Sequence, residues 1–441
     1  MALSLTLPTI QNWSCHNCGG CCRQHAIEVT EEERQRILSQ AWTQQDGTPT
    51  GNALFEWHAG PPWAKRYRLA HQADGACVFL NEQGLCRIHA KFGEAAKPLP
   101  CRIYPYAFHP AGKKVTVSLR FSCPSVVANR GRTMSQNADE IKRLARAVVP
   151  DGYEKMPPPL ISARERVDWP DALRFVEAID ASLATPGVPI ALKLTRTLFW
   201  LNLVEQARFE KLSGVRLTEF LVLIRQAADD ELPIESRRLG SDAEPSAVAR
   251  VQFRLLAAQY ARKDTAADLV AGWRGRWKLL RAATRFARGT GNVPALQSIF
   301  REVPFVTLEQ PFGLPAECEE LWMRYFRVKV QGLHFCGAAY YDIPLVEGFQ
   351  SLALIFPATL WIARWLAASR DRTTLFPEDV TQALAITDHH PGYSPIFGTL
   401  GFRSRVRTLA QLGEIPKLID WYTREAIETR NEAETQSNPK R

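Results

Sequence analysis

Four cysteines within eight residues constrain this chain more than any other feature. Residues 15–22 read CHNCGGCC, so Cys15, Cys18 and Cys21 fall at two-residue spacing and Cys22 follows with no spacer. Cys77, Cys86, Cys101 and Cys123 complete a set of eight, and only Cys318 and Cys336 lie beyond. Thiols this dense form a disulfide knot, hold a metal or supply a nucleophile. Residues 1–14, MALSLTLPTIQNWS, have neither a basic start nor a long apolar run, so no secretory leader is expected and the chain is expected in the cytoplasm. Reducing conditions there favour metal ligation over structural disulfides.

A two-residue spacer lets both sulfurs of a C-x2-C pair converge on one metal, and Gly19 and Gly20 allow the tight backbone this needs. Thiolates are soft ligands that select zinc, copper(I) or iron–sulfur clusters over calcium or magnesium. Neighbouring side chains in extended backbone point to opposite sides, so Cys21 and Cys22 are expected to face different sites. The eight thiols then divide into two groups of four, or into one four-cysteine centre with additional packed or redox thiols. The spare member of the adjacent pair is expected beside Cys77 and Cys86. All eight, Cys15, Cys18, Cys21, Cys22, Cys77, Cys86, Cys101 and Cys123, are candidate metal ligands.

Three cysteines in one run at this spacing resemble bacterial ferredoxin-type ligation more than the two separated knuckles of a zinc ribbon. Cys123-Pro124 offers a distant fourth partner. An iron–sulfur cluster, of the 4Fe-4S type, is therefore the first expectation and zinc the second. A radical S-adenosylmethionine triad would read C-x3-C-x2-C, which this run does not. His16, His25 and His89 sit near the cysteines, and imidazole suits either metal, although each alone reads as a surface or supporting residue. Arg23, Arg87 and Arg102 either ease the charge of a thiolate centre or are simply solvated, and Tyr104-Pro105 shapes the loop after Cys101.

Taken together, CHNCGGCC, CVFLNEQGLCRIHAKFGEAAKPLPCRIYPYAF and SLRFSCP resemble the YkgJ-like cysteine-cluster family. The phrases C-x-F-L-x4-L-C-x-I, C-x2-Y-P and S-L-x2-S-C-P are also similar to flagellin lysine N-methylases. Those enzymes space their first cysteines more widely and carry arginine after the proline, where this chain has Tyr106. The first resemblance implies a zinc- or iron-chelating domain. The second implies a protein-lysine N-methyltransferase using S-adenosylmethionine on flagellin or another surface protein. No Gly-rich loop after a strand offers a Rossmann-type site for that cofactor.

The 441 residues suit two or three domains. The run Pro157-Pro158-Pro159 interrupts any helix, which divides the chain into a cysteine-cluster domain at 1–150, a linker at 151–168 and a helical domain at 169–441 for substrate or partner. In the first part, Thr30 with Glu33 forms a capping box for a helix running to about Gln40. KRYRLA, ACVFL and KVTVSLRF read as strands, with turns at Asp74-Gly75 and Gln83-Gly84. After residue 170, apolar residues recur at three- and four-residue steps almost throughout. The expected class is α+β, mainly α. Gly289 and Gly291 follow a helix, not a strand, and read as a helix C-terminus and not a nucleotide loop.

The apolar run SLALIFPATLWIA, bounded by Glu347 and Arg364 and interrupted by Pro357, is too short to span a bilayer, which needs about 20 residues, and reads as one or two buried helices. The net charge of +9 is scattered, so no strong nucleic-acid signal emerges, and RGRWKLLRAATRFARG at 274–289 reads as a solvated helix face or a patch for an anionic partner. Cys318 and Cys336 read as buried free thiols outside the site. The His389-His390-Pro391 and Tyr340-Tyr341-Asp342 groups read as loop and core, with pocket lining as the alternative. Three functions follow: a cysteine-cluster metalloprotein whose helical domain binds a partner, a protein-lysine methyltransferase, and a structural zinc module that folds the first domain.

Overall fold

The structure, a computed structural model describing residues 3–61, 63–234, 244–262 and 272–425, is α+β and mainly helical, and among the described residues its strands are confined to the first third of the chain. Six short strands form two three-stranded sheets. One has the order β2 (Glu28–Val29), β4 (Arg66–Leu69), β3 (Phe55–Ala59), all antiparallel. The other joins β1 (Leu5–Thr6) in parallel to β6 (Lys114–Leu119), which pairs antiparallel with β5 (Tyr106–Ala111) through a turn at Gly112, φ 65°.

Between the strands lie α1 (Gly20–Gln24), α2 (Glu31–Ser39), α3 (Arg87–Phe92) and α4 (Leu99–Ile103), followed by α5 (Pro124–Val127) and α6 (Ala138–Val148). Thr30 and Glu33 make the capping box that their spacing predicts, each covering the other's backbone N–H at the start of α2. The expected strand ACVFL does not form. Gly75 and Gly84, at φ 82° and 77°, turn the chain on both sides of it, and the segment crosses the interior with only two isolated bridges, His71 to Cys77 and Leu80 to Cys86. Its apolar content serves burial in an irregular loop, since strand propensity is set by surroundings.

The remainder is helical: α7 (Trp169–Ala184), α8 (Ile190–Gln206), α9 (Gly214–Glu231), α10 (Ala247–Tyr260), α11 (Gly272–Arg288), α12 (Phe305–Glu309), α13 (Glu319–Gln331), α14 (Leu345–Ala368), α15 (Pro377–Thr387), α16 (Leu400–Gln411) and α17 (Glu414–Tyr422). The run around Pro357 forms one unbroken helix of 24 residues. It is the one helix among the described residues long and apolar enough to cross a membrane, and 94% of its most apolar window is buried within the protein. Its bounding charges are folded inward instead of ending it. Arg364 donates to the carbonyls of Leu308 and Tyr422, each at 3.0 Å, and Glu347 accepts from Arg403 and Arg407. Packing on all sides outweighs the one hydrogen bond the proline removes.

Two apolar cores result. A small one gathers Val29, Ile37, Trp42, Leu54, Phe55, Leu69, Val78, Phe79 and Ile88 with Cys77, and Cys22 and Cys86 pack against it. The large one surrounds α14 and takes in Tyr106, Val117, Leu119 and Phe121 of the β5–β6 hairpin. The hairpin is fastened to the helices by polar contacts as well. Thr116 donates to the Gly332 carbonyl at 3.2 Å, the Phe121 N–H donates to Asp388 at 2.6 Å, and Arg324 donates to Gln11 and to the Val126 and Val127 carbonyls.

Candidate metal centre

Gly19, in the left-handed region at φ 67°, caps α1 and turns the chain so that Cys21 and Cys22 lie on a helical turn. This overturns the expectation of an extended pair facing opposite ways, because helical neighbours diverge far less than strand neighbours. Their sulfurs are 4.0 Å apart. That is about twice a disulfide bond length, and all ten cysteines are free.

The Cys22 carbonyl accepts the Cys77 N–H at 2.8 Å, which seats the buried Cys77 beside α1. Cys86 caps α3 and bridges back to Leu80 in the same loop. Cys101 lies in α4, whose start is anchored by Glu33 of α2 through the Leu99 N–H at 2.6 Å. These five thiols feel one another's charge. Cys22 is held neutral by its hydrogen bond with Cys21, by burial, and by the fields of Cys21, Cys77 and Cys86. Cys77 is pushed up to about 12 by burial, with Cys86 and Cys21 adding to it. Cys101 rises well above the usual thiol range, again through burial and the same neighbours. Cys21 alone falls, to about 6, through the hydrogen bond from Cys22 against the opposing effect of burial, with help from Lys97.

The other three predicted ligands lie elsewhere. Cys15 and Cys18 are exposed, and the Cys15 thiol donates to the Asn17 side chain at 3.6 Å. Cys123, which caps α5, is buried and raised by that burial, with the field of Cys18 as a further contribution. His16 is held by Ser125 at 3.1 Å, and His89 is exposed on α3. Among the described residues, no three Cys, His, Asp or Glu side chains already surround a common point at ligand distance. The thiols are gathered as a soft donor set without being closed. The donor chemistry fits zinc or iron, since five sulfurs share one partly buried neighbourhood.

The arginines next to ligands in sequence are engaged elsewhere, Arg23 with Asp74 at 2.9 Å and Arg87 with the Asp46 carbonyl at 2.7 Å. Lys97 is the cation that acts on Cys21 and Cys101. A second feature escaped the sequence reading. His25, at the end of α1, stacks on His389 with ring centres 4.5 Å apart and lies 4.8 Å from Tyr104. Arg120 donates to the His389 carbonyl at 2.9 Å and sits over the rings of Tyr393, at 3.6 Å, and Tyr104, at 5.5 Å. The Tyr104 phenol is raised by desolvation and by the charges of Cys123 and Cys21. His389 thus belongs to a joint between the cysteine region and the helices, which no local motif announces. Cys318 and Cys336 are buried in the large core, which also holds Cys123, and lie outside the small core of Cys22, Cys77 and Cys86.

Residues 14–124, which hold all eight N-terminal cysteines, match the CxxCxxCC family model, described as "Putative zinc- or iron-chelating domain". The match bears out the cysteine-cluster resemblance and does not extend to the flagellin methylases. No curated protein and no solved structure matches the chain.

Proposed function

We propose that Cys21, Cys22, Cys77, Cys86 and Cys101 hold a soft metal centre as thiolates, with Cys15, Cys18 and Cys123 forming a second, more open thiol group nearby. The observation that carries this reading is geometric: the Cys21 and Cys22 sulfurs lie 4.0 Å apart, and the Cys77 N–H bond to the Cys22 carbonyl seats a third thiol beside them. A bound multivalent cation deprotonates its thiol ligands and so offsets the burial that raises Cys77 and Cys101.

Iron–sulfur is the first form of the proposal. Cys15, Cys18 and Cys21 fall at ferredoxin-like spacing, and Cys21 is the member of that run that belongs to the gathered five. Zinc is the second form, favoured by one distance. The 4.0 Å between Cys21 and Cys22 sulfurs is near the ~3.8 Å edge of a tetrahedron with metal–sulfur bonds of about 2.3 Å. When bound, iron–sulfur supplies one-electron chemistry, whereas zinc supplies folding energy. The helical body, packed on the β5–β6 hairpin, is the part available to a partner or substrate. Lysine methyl transfer from S-adenosylmethionine rests on the wider resemblance alone.

Anaerobic purification with metal analysis and an absorption spectrum tests the proposal. A brown protein with stoichiometric iron and a broad band near about 400 nm supports the first form, and a colourless protein with stoichiometric zinc supports the second. Failure to retain or take up either metal under reducing conditions would sink both.

A further inference from the structure

Helix α11 buries one side and presents the opposite side to solvent. Ala282 and Phe286 pack inward, whereas Trp277 is 59% and Leu280 57% exposed, on a stripe that the 3.6-residue period extends to Trp273 and Thr284. The stripe faces an open groove of about 940 Å³, closed on its other side by Pro294, Ala295 and Leu296. Five cations, Arg262, Lys278, Arg281, Arg285 and Arg288, line this groove against a single carboxylate, Glu302. Arg285 approaches Glu302 at 3.8 Å. Among the described residues, no carboxylate comes within ion-pair distance of Lys278, Arg281 or Arg288.

We infer that this groove docks an acidic, amphipathic peptide segment of a partner protein. Charge complementarity sets the sign of the occupant, since bringing acidic side chains to uncompensated cations is favourable and like charges are repelled. The floor sets the rest. Leucine, proline and indole side chains accept the apolar face of a peptide, as in helix-in-groove recognition. A concave site suits a peptide better than a flat bilayer, and a single strand, which can stack on Trp273 and Trp277, is separated from the peptide by the oligothymidylate arm of the test. The metal proposal is not involved, because Cys22, Cys77 and Cys86 pack in the small core whereas Phe286 of α11 packs in the large one.

The test uses the full chain and a fluorescein-labelled peptide built from repeated Glu-Glu-Leu-Leu blocks. Fluorescence anisotropy at low salt is expected to show saturable binding that weakens as salt rises. Lys278→Glu with Arg281→Glu is expected to weaken it about tenfold or more, and Trp277→Ala is expected to weaken it as well, with metal content and circular dichroism unchanged. If the double reversal does not fold, Arg281→Gln serves in its place. The inference is overturned if the acidic peptide does not bind, if a Lys-Lys-Leu-Leu peptide binds equally, or if folded variants bind as the parent does. Tighter capture of an oligothymidylate or of phosphatidylserine vesicles than of the peptide also overturns it.

Discussion

The Cys21 thiol, drawn down to about 6 by the bond from Cys22, and the Cys77 thiol, pushed up to about 12 by burial, are neighbours through Cys22, whose carbonyl accepts the Cys77 N–H. Local surroundings therefore separate thiols of one cluster by reactivity. In protein stripped of metal at pH 7, iodoacetamide followed by mass spectrometry is expected to label Cys21 together with exposed Cys15 and Cys18, and to leave Cys77 and Cys101 largely unmodified. Equal labelling of all five would contradict this electrostatic ordering. Ligand roles are tested by substitution. Cys77→Ser is expected to lose metal, whereas Cys336→Ser, buried in the other core, is expected to retain it. Metal analysis of the two variants decides the matter, and retention by both would refute the ligand assignment.

Glu33 shows how an element carries information to the site. Its carboxylate covers the Thr30 N–H and also accepts the Leu99 N–H, so α2 holds the start of the short helix that presents Cys101. Glu33→Ala leaves two donors without a partner and is expected to cost about 1–3 kcal/mol and to reduce metal occupancy. Thr30→Ala is expected to cost about 1 kcal/mol while leaving occupancy unchanged. Urea titration and metal analysis on the two variants check both statements. The capping box was legible because its partners are three residues apart. ACVFL was misread because its composition says only that it is buried, and α14 was read as shorter because Pro357 and the flanking charges are compensated by distant partners.

At the scale of the molecule, the hairpin meets the helices through a buried polar network. Lys329 pairs with Asp388 at 2.8 Å with both side chains almost wholly buried, and Lys329 also contacts His334 at 3.3 Å. Asp388→Asn strips Lys329 of its counter-charge and is expected to destabilise the fold by about 3–5 kcal/mol, measured by chemical denaturation. His109 on the hairpin faces His334 with ring centres 5.0 Å apart and is lowered to about 3, first by desolvation and then by Lys329. The native state thus leaves His109 neutral down to about pH 3, while the unfolded chain protonates it below about 6.5. The unfolded state binds more protons in that window, so stability is full above about pH 6.5 and declines as pH falls toward 3. His334, lowered still further by burial and by Lys329, acts in the same direction. The urea midpoint is expected to fall between pH 7 and 5, and less steeply in His109→Leu; parallel curves would contradict this. None of the joint was legible in the sequence, because Arg120 and His389 are 269 positions apart and neither lies in a periodic pattern that points to the other. The cysteine run was legible as a motif, but spacing did not show that Cys15 and Cys18 stand exposed, apart from the thiols gathered around Cys22.

The long reach of these contacts has a consequence for synthesis. The small core around Cys22, Cys77 and Cys86 is assembled from residues 22–96. Arg324, which ties Gln11 and α5 to α13, and Asp388, which holds the chain at the end of the hairpin, lie 313 positions after Gln11 and 267 after Phe121. A chain emerging from the ribosome can therefore gather its thiols long before α13 and α15 arrive to cover the hairpin. On the proposed ligand assignment, metal loading would have an interval during translation when the donors are assembled and the helical body is not yet in place.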